Sequence, residues 1–103
     1  MKLKNRLDII LVDDIHENDK RIIQLELAKT CGGYSSYKGS GGYVMSDGRL
    51  VEESNTVYYA NYGRLPRKEI SRMRELIRVI AIMNRQETIG FAINGKLELV
   101  EGK

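Results

Sequence analysis

The sequence predicts an α+β sandwich in which an antiparallel sheet carries two helices on one face. Three observations lead there. Leu7–Val12 is a near-continuous apolar run with β-branched residues, as in a central strand. Asp47-Gly48 and Asn94-Gly95 are dipeptides suited to type I′ hairpin turns, whose two central residues both need φ > 0. Two further segments carry apolar residues at helical spacing. With 103 residues the chain suits a single domain, residues 1–103, and one core. Two helices cannot cover both faces of so small a sheet and still leave an ordinary core, so both belong on one face.

The first strand, Leu7 to Val12, ends at Asp13 and Asp14. Asn18 and Asp19 are the expected caps of the first helix. That helix carries Ile22, Ile23, Leu25, Leu27 and Ala28 in a broad stripe. It stops at Cys31-Gly32-Gly33, where glycine tolerates the left-handed conformation. Residues 33–42 are rich in Gly, Ser and Tyr and read as a loop, a bent strand, or both. Residues 41–53 then read as a hairpin. With a two-residue loop at Asp47-Gly48, Tyr43 faces Glu52 and Val44 faces Val51. Thr56–Ala60 is a separate strand by its β-branched and aromatic content.

Pro66 suits the first turn of the second helix. Ile70, Met73, Ile77 and Ile80 recur along it at three- and four-residue spacing, and Leu76, Val79 and Met83 widen the stripe. Its other face carries Arg67, Lys68, Arg72, Arg74, Arg78 and Arg85. Thr88–Ile93 and Lys96–Val100 close the chain as a hairpin around Asn94-Gly95. The order of strand, helix, hairpin and strand, helix, hairpin is that of a ferredoxin-like sandwich. One sheet face is then left open. Aromatic residues on such a face imply a covering subunit, and Tyr58, Tyr59 and Tyr62 are its candidates, which predicts a homo-oligomer.

Bulk properties narrow the function classes. Apolar residues make up 42% and charged residues 30%, ordinary for a globular protein, and the net charge of +3 does not by itself indicate nucleic acid. The single cysteine, Cys31, excludes an intrachain disulfide and fits a reducing compartment. The basic start, residues 1–6, precedes an apolar run broken by Asp8, Asp13 and Asp14, so neither a secretory signal nor a membrane span is expected and the cytoplasm is the expected location. The chain contains no nucleophile elbow, zinc signature, dinucleotide fingerprint or P-loop.

The polar constellation that stands out is Tyr43 with Glu52 and Glu53, behind the glycines Gly39, Gly41 and Gly42. A phenol beside a carboxylate suits a cationic or polar ligand; the plainer reading is a solvated hairpin whose glutamates suppress edge pairing. The glycine run leads into a strand, so no helix N-terminus awaits a phosphate. A metal at Asp13, Asp14, His16 and Glu17 would have one imidazole and no second cluster, and a charge cluster at a helix start is the plainer reading. The arginines of the second helix are interleaved with Glu69 and Glu75, which favours a solvated, ion-paired face over a nucleic-acid surface.

The run of helix, Gly41-Gly42-Tyr43, Glu52-Glu53, the strand at Thr56-Val57, a helix, and Arg85-Gln86-Glu87-Thr88-Ile89 resembles the small phage-encoded S-adenosylmethionine lyases, over residues 20–93. The resemblance implies a ferredoxin-like subunit, a homotrimer with sites between subunits, and cleavage of S-adenosylmethionine to methylthioadenosine and homoserine lactone, without cofactor or metal. It implies an anti-restriction role in the cytoplasm of an infected host. It matches Tyr43 to the family's Gly-x-Tyr tyrosine. It places the functional glutamate at Glu53, within one residue, so Glu52 stays a candidate. Gly41, Gly42, Tyr37 and Tyr34 become candidates for substrate binding.

Overall fold

A computed structural model describes residues 2–103. Its elements are β1 (Asn5–Val12), α1 (Glu17–Cys31), β2 (Ser35–Val44), β3 (Leu50–Tyr62), α2 (Arg67–Met83), β4 (Thr88–Ile93) and β5 (Lys96–Glu101). The five strands form one antiparallel sheet in the order β2-β3-β1-β4-β5. This is the ferredoxin-like arrangement with β5 added at one edge. β1 is the central strand, as its apolar run predicts.

Alternation along β1 separates the two faces. Leu7, Ile9 and Leu11 are fully buried, while Ile10 and Val12, in the alternate positions, are half-buried. The buried set packs with Ile23 and Leu27 of α1 and with Met73, Ile77 and Ile80 of α2, so both helices cover the same face. The stripe of α2 holds at Met73, Ile77 and Ile80, with Ile70 and Leu76 packed against them, but Val79 and Met83, expected to widen it, are exposed. That of α1 is narrower than its sequence suggests: Ile22 and Leu25 are exposed, and Ile23 and Leu27 carry the packing.

The cap of α1 differs from expectation. His16, not Asn18 or Asp19, is the N-cap, and its Nδ1 accepts from the Asn18 amide at 3.1 Å. Asp19 instead accepts from Asn84 Nδ2 at 2.8 Å, tying the start of α1 to the end of α2. At the other end Gly32, with φ 88°, caps as predicted. Asn94 and Gly95 both have positive φ, so the second hairpin takes its expected turn.

The first hairpin does not have its expected register. Met45 N donates to Arg49 O and Gly48 N to Met45 O, which leaves Ser46-Asp47-Gly48 as a three-residue loop with Gly48 alone at positive φ. This is a type I turn closed by a left-handed glycine. Asp47 Oδ1 accepts from the Arg49 amide at 3.0 Å and steadies it. The added loop residue moves the pairing by one: Tyr43 faces Val51, Val44 faces Leu50, Gly42 faces Glu52 and Gly41 faces Glu53. The expected Tyr43–Glu52 and Val44–Val51 pairs are absent. Residues 33–42 resolve as mostly strand, and residues 50–62 run as one continuous strand in place of two.

Candidate functional site

The register fixes which side chains share the face opposite the helices. On β3, Ser54, Thr56, Tyr58, Ala60 and Tyr62 are in phase with β1's Leu7, Ile9 and Leu11, on the helix side. Tyr58 and Tyr62 are therefore core residues, 5% and 8% exposed, and not part of the open face. Tyr59 does lie on the open face, opposite Asp8. The sequence reading could not assign phase within a Tyr-rich run whose starting register was unknown.

The same phase places Tyr37, Gly39, Gly41 and Tyr43 of β2 on the open face, with Val51, Glu53, Asn55 and Val57 of β3 beside them. Tyr37 and Tyr43 are 49% and 52% exposed and stand about 20 Å apart along the strand. Between them lie two glycines, so nothing rises from β2 over Asn55 and Glu53. Tyr37 packs on Tyr59 with ring centroids 5.9 Å apart. The Arg6 guanidinium sits 4.0 Å over the Tyr59 ring and 2.8 Å from Asp8, which holds it charged and anchors the stack.

Asn55 lies in the middle of three strands, opposite Val12 and Gly39. Its amide rests on the glycine: a Cβ at Gly39 would meet Asn55 Oδ1 at 2.7 Å. That oxygen is buried with no hydrogen-bond partner among the described residues. An unpaired buried polar atom costs about 1–3 kcal/mol. Where β1 ends, a cleft of about 210 Å³ is lined by Val12, Asp13, Asp14, Glu53 and Ser54. It is acidic, with Lys38 Nζ 3.5 Å from Asp13. The cleft suits a cationic group.

Glu53 and Tyr43 thus come together on one face, with Gly41 and Tyr37. Glu52 projects from the other face, opposite Gly42. Tyr34 also lies apart from this constellation: it packs on the core residue Tyr58, centroids 6.2 Å apart. Sequence reasoning passed over Asn55, whose significance rests on the register and on the glycine opposite. Its only mark in the sequence is an amide two residues beyond Glu53.

Much of the site stands on a projection. From Leu50 to Glu53, β3 pairs with β2 and no longer with β1, so residues 41–44 and 50–53 form a two-stranded ribbon beyond the sheet. The molecule measures 49 × 25 × 22 Å. Tyr43, Val44, Met45 and Leu50 are all exposed on the ribbon. An isolated two-stranded ribbon is marginally stable, and one that displays apolar side chains is suited to packing against another surface.

The other candidates have structural roles. His16 caps α1, Glu17 pairs with Lys20, and Asp14 accepts from Gln86. No group of three or more His, Cys, Asp or Glu side chains converges as a metal site among the described residues. Arg72 pairs with Glu26 and Glu69, Arg74 with Glu98, and Arg78 with Glu75, so the basic strip of α2 is interrupted by carboxylates. Burial pushes the Cys31 thiol up, and it does the same to the Tyr62 phenol, with help from Cys31. No helix among the described residues is long and apolar enough to cross a membrane.

The chain matches no protein-family model and no curated protein. Among solved structures it is similar to a phage SAM lyase in complex with S-methyl-5′-thioadenosine, with a TM-score of 0.62 and 15% identity over 91% of this chain and 84% of that one. It is also similar to a phage SAM lyase in the apo state, with a TM-score of 0.53 and 16% identity over 91% and 83%. A DUF3240 family protein from Shewanella baltica OS155 matches with a TM-score of 0.44 at 16% identity, over 91% and 90%. At these identities the likeness is one of fold.

Proposed function

We propose that this protein is a phage-type S-adenosylmethionine lyase that releases methylthioadenosine and homoserine lactone. The observation that carries the proposal is the ribbon register, which sets Glu53 and Tyr43 on one face around two glycines. The likeness in fold to SAM lyases, one of them bound to methylthioadenosine, supports it.

The chemistry asks little of the protein. The substrate's carboxylate oxygen attacks its own γ-carbon, the carbon–sulfur bond breaks, and the electron pair passes to sulfur. Methylthioadenosine departs as a neutral thioether and a five-membered lactone remains. No proton moves and no water adds. The barrier lies in folding the amino-acid arm back on itself, which a shaped site can pre-organise at a saving of several kcal/mol.

Two opposite charges vanish as the reaction proceeds. A carboxylate held against the sulfonium would stabilise the reactant more than the transition state. Glu53 therefore serves best on the α-ammonium, whose charge is unchanged throughout and whose capture orients the arm. Tyr43 lines the sulfonium end with its ring. Gly41 and Gly39 let the substrate approach the backbone, Gly42 belongs with Glu52 to the other face, and Tyr37 flanks the adenosine end. Tyr34, on the opposite face, takes part only from a neighbouring subunit. Such a site is completed between subunits of a homotrimer, acting in the cytoplasm of an infected host against restriction that depends on S-adenosylmethionine.

Glu53→Gln is expected to lower product formation at least a hundredfold, with Glu52→Gln within a fewfold of wild type, a contrast of the size one charged contact supplies. Equal loss in both variants, read by chromatography of the products, contradicts the assignment.

A second reading is a non-catalytic oligomeric module that binds a ligand or a protein. Leu97 and Leu99, each 59% exposed, favour it, because they extend the open face beyond the candidate site. Intact S-adenosylmethionine in the presence of a folded oligomer would select that reading.

A further inference from the structure

We infer that Asn55 is the residue that selects the base of the ligand, by reading the 6-amino edge of adenine. The inference rests on the function proposed above and names the group that recognises the nucleoside half. Asn55 Oδ1 is buried, with no hydrogen-bond partner among the described residues, on the face that carries Tyr37 and Glu53. Its amide lies against Gly39, the one residue type that leaves it room there. The terminal torsion of asparagine is broad, so the amide turns toward an arriving donor with little resistance.

The surroundings fit a purine. A planar amide offers an acceptor and a donor side by side, which matches the amino group and the adjacent ring nitrogen of adenine. Tyr37, one diagonal step along the ladder, provides an exposed aromatic wall for the ring. Asn55 and Glu53 are two residues apart on the same face of β3, a separation of about 7 Å. A ligand with its base at Asn55 then lays its amino-acid arm toward Glu53 and Tyr43. A phosphate-bearing nucleotide would meet the acidic cleft at Asp13, Asp14 and Glu53, so an uncharged or cationic 5′-substituent is the one admitted.

The test is a cycle of two ligands and two proteins. Binding of 5′-methylthioadenosine and of its purine riboside counterpart, which lacks the 6-amino group, is measured by calorimetry on the full chain. Wild type is expected to prefer methylthioadenosine by about tenfold or more, as one good amide–adenine pair supplies. Asn55→Ala is expected to bind the two ligands equally. Asn55→Asp keeps the acceptor and is expected to keep the preference, which covers the case of an alanine variant that does not fold. A side chain with a merely structural role would weaken both ligands together and leave their ratio intact. A wild type that binds both equally, an alanine variant that keeps the preference, or an aspartate variant that loses it overturns the inference and leaves the lyase proposal standing. A wild type that binds neither ligand overturns both.

Discussion

Glu52 and Glu53 differ by one position and lie on opposite faces of a ribbon, because side chains alternate along a strand. The sequence left the choice open for a definite reason. Asp-Gly suits a two-residue type I′ turn, and it equally suits the end of a three-residue loop in which only the glycine is left-handed. Asp47 Oδ1 on the Arg49 amide and Met45 O on the Gly48 amide select the second, and one added loop residue inverts the face of every residue that follows. Gly39→Ala tests the packing beneath the site. Its methyl would displace the Asn55 amide from 2.7 Å, and the expected result is weaker methylthioadenosine binding with a melting temperature within a few degrees of wild type. Cys31 offers an independent check on burial. Its thiol is pushed up by desolvation and sits at the C-terminal end of α1, where the helix dipole further disfavours a thiolate. The thiol therefore stays protonated at neutral pH. Labelling by iodoacetamide should be at least tenfold slower in the folded chain than in denaturant, and equal rates would contradict its placement.

Element by element, hydrophobic period was the most readable signal. β1 was legible because its apolar residues sit on both faces at the centre of the sheet. α2 was legible because Met73, Ile77 and Ile80 keep one face inward over several turns. The expected caps of α1 failed because the helix is capped two residues before Asn18, at His16, which uses its imidazole, a group outside the usual capping set. Residues 33–42 were ambiguous because glycine and serine carry almost no strand propensity; pairing to β3 decides the matter, a tertiary contact that local sequence does not encode. The phase of β3 was hidden for the same reason, and Tyr58, Tyr59 and Tyr62 could be sorted only after pairing with β1. Ile77 is fully enclosed between α2 and the sheet, so Ile77→Ala should cost about 2–5 kcal/mol in denaturant unfolding. A cost under 1 kcal/mol would mean that the helix is not packed as described.

The whole molecule has a covered face and an open one. The helices cover the first, while the second carries Ile10, Val57, Ala92, Leu97 and Leu99, with Tyr37 and Tyr59 toward its β2 side. Gly90 lets Ile10 and Leu97 close over the backbone, since a Cβ there would stand 3.1 Å from one and 3.4 Å from the other. Together with the projecting ribbon, this face is the proposed contact between subunits. Leu97→Glu with Leu99→Glu should lower the mass in light scattering to that of one 11.8 kDa chain, with both helices retained. A wild type that is monomeric at micromolar concentration would remove the shared site. The proposed lyase activity is tested most directly by incubating the purified protein with S-adenosylmethionine in ¹⁸O-water and resolving the products by chromatography and mass spectrometry. Intramolecular attack predicts methylthioadenosine with unlabelled homoserine lactone, any later opening of the lactone placing the label in the carboxyl group. Homoserine labelled at its hydroxyl would show water as the nucleophile, and S-adenosylmethionine recovered intact would contradict the lyase account altogether.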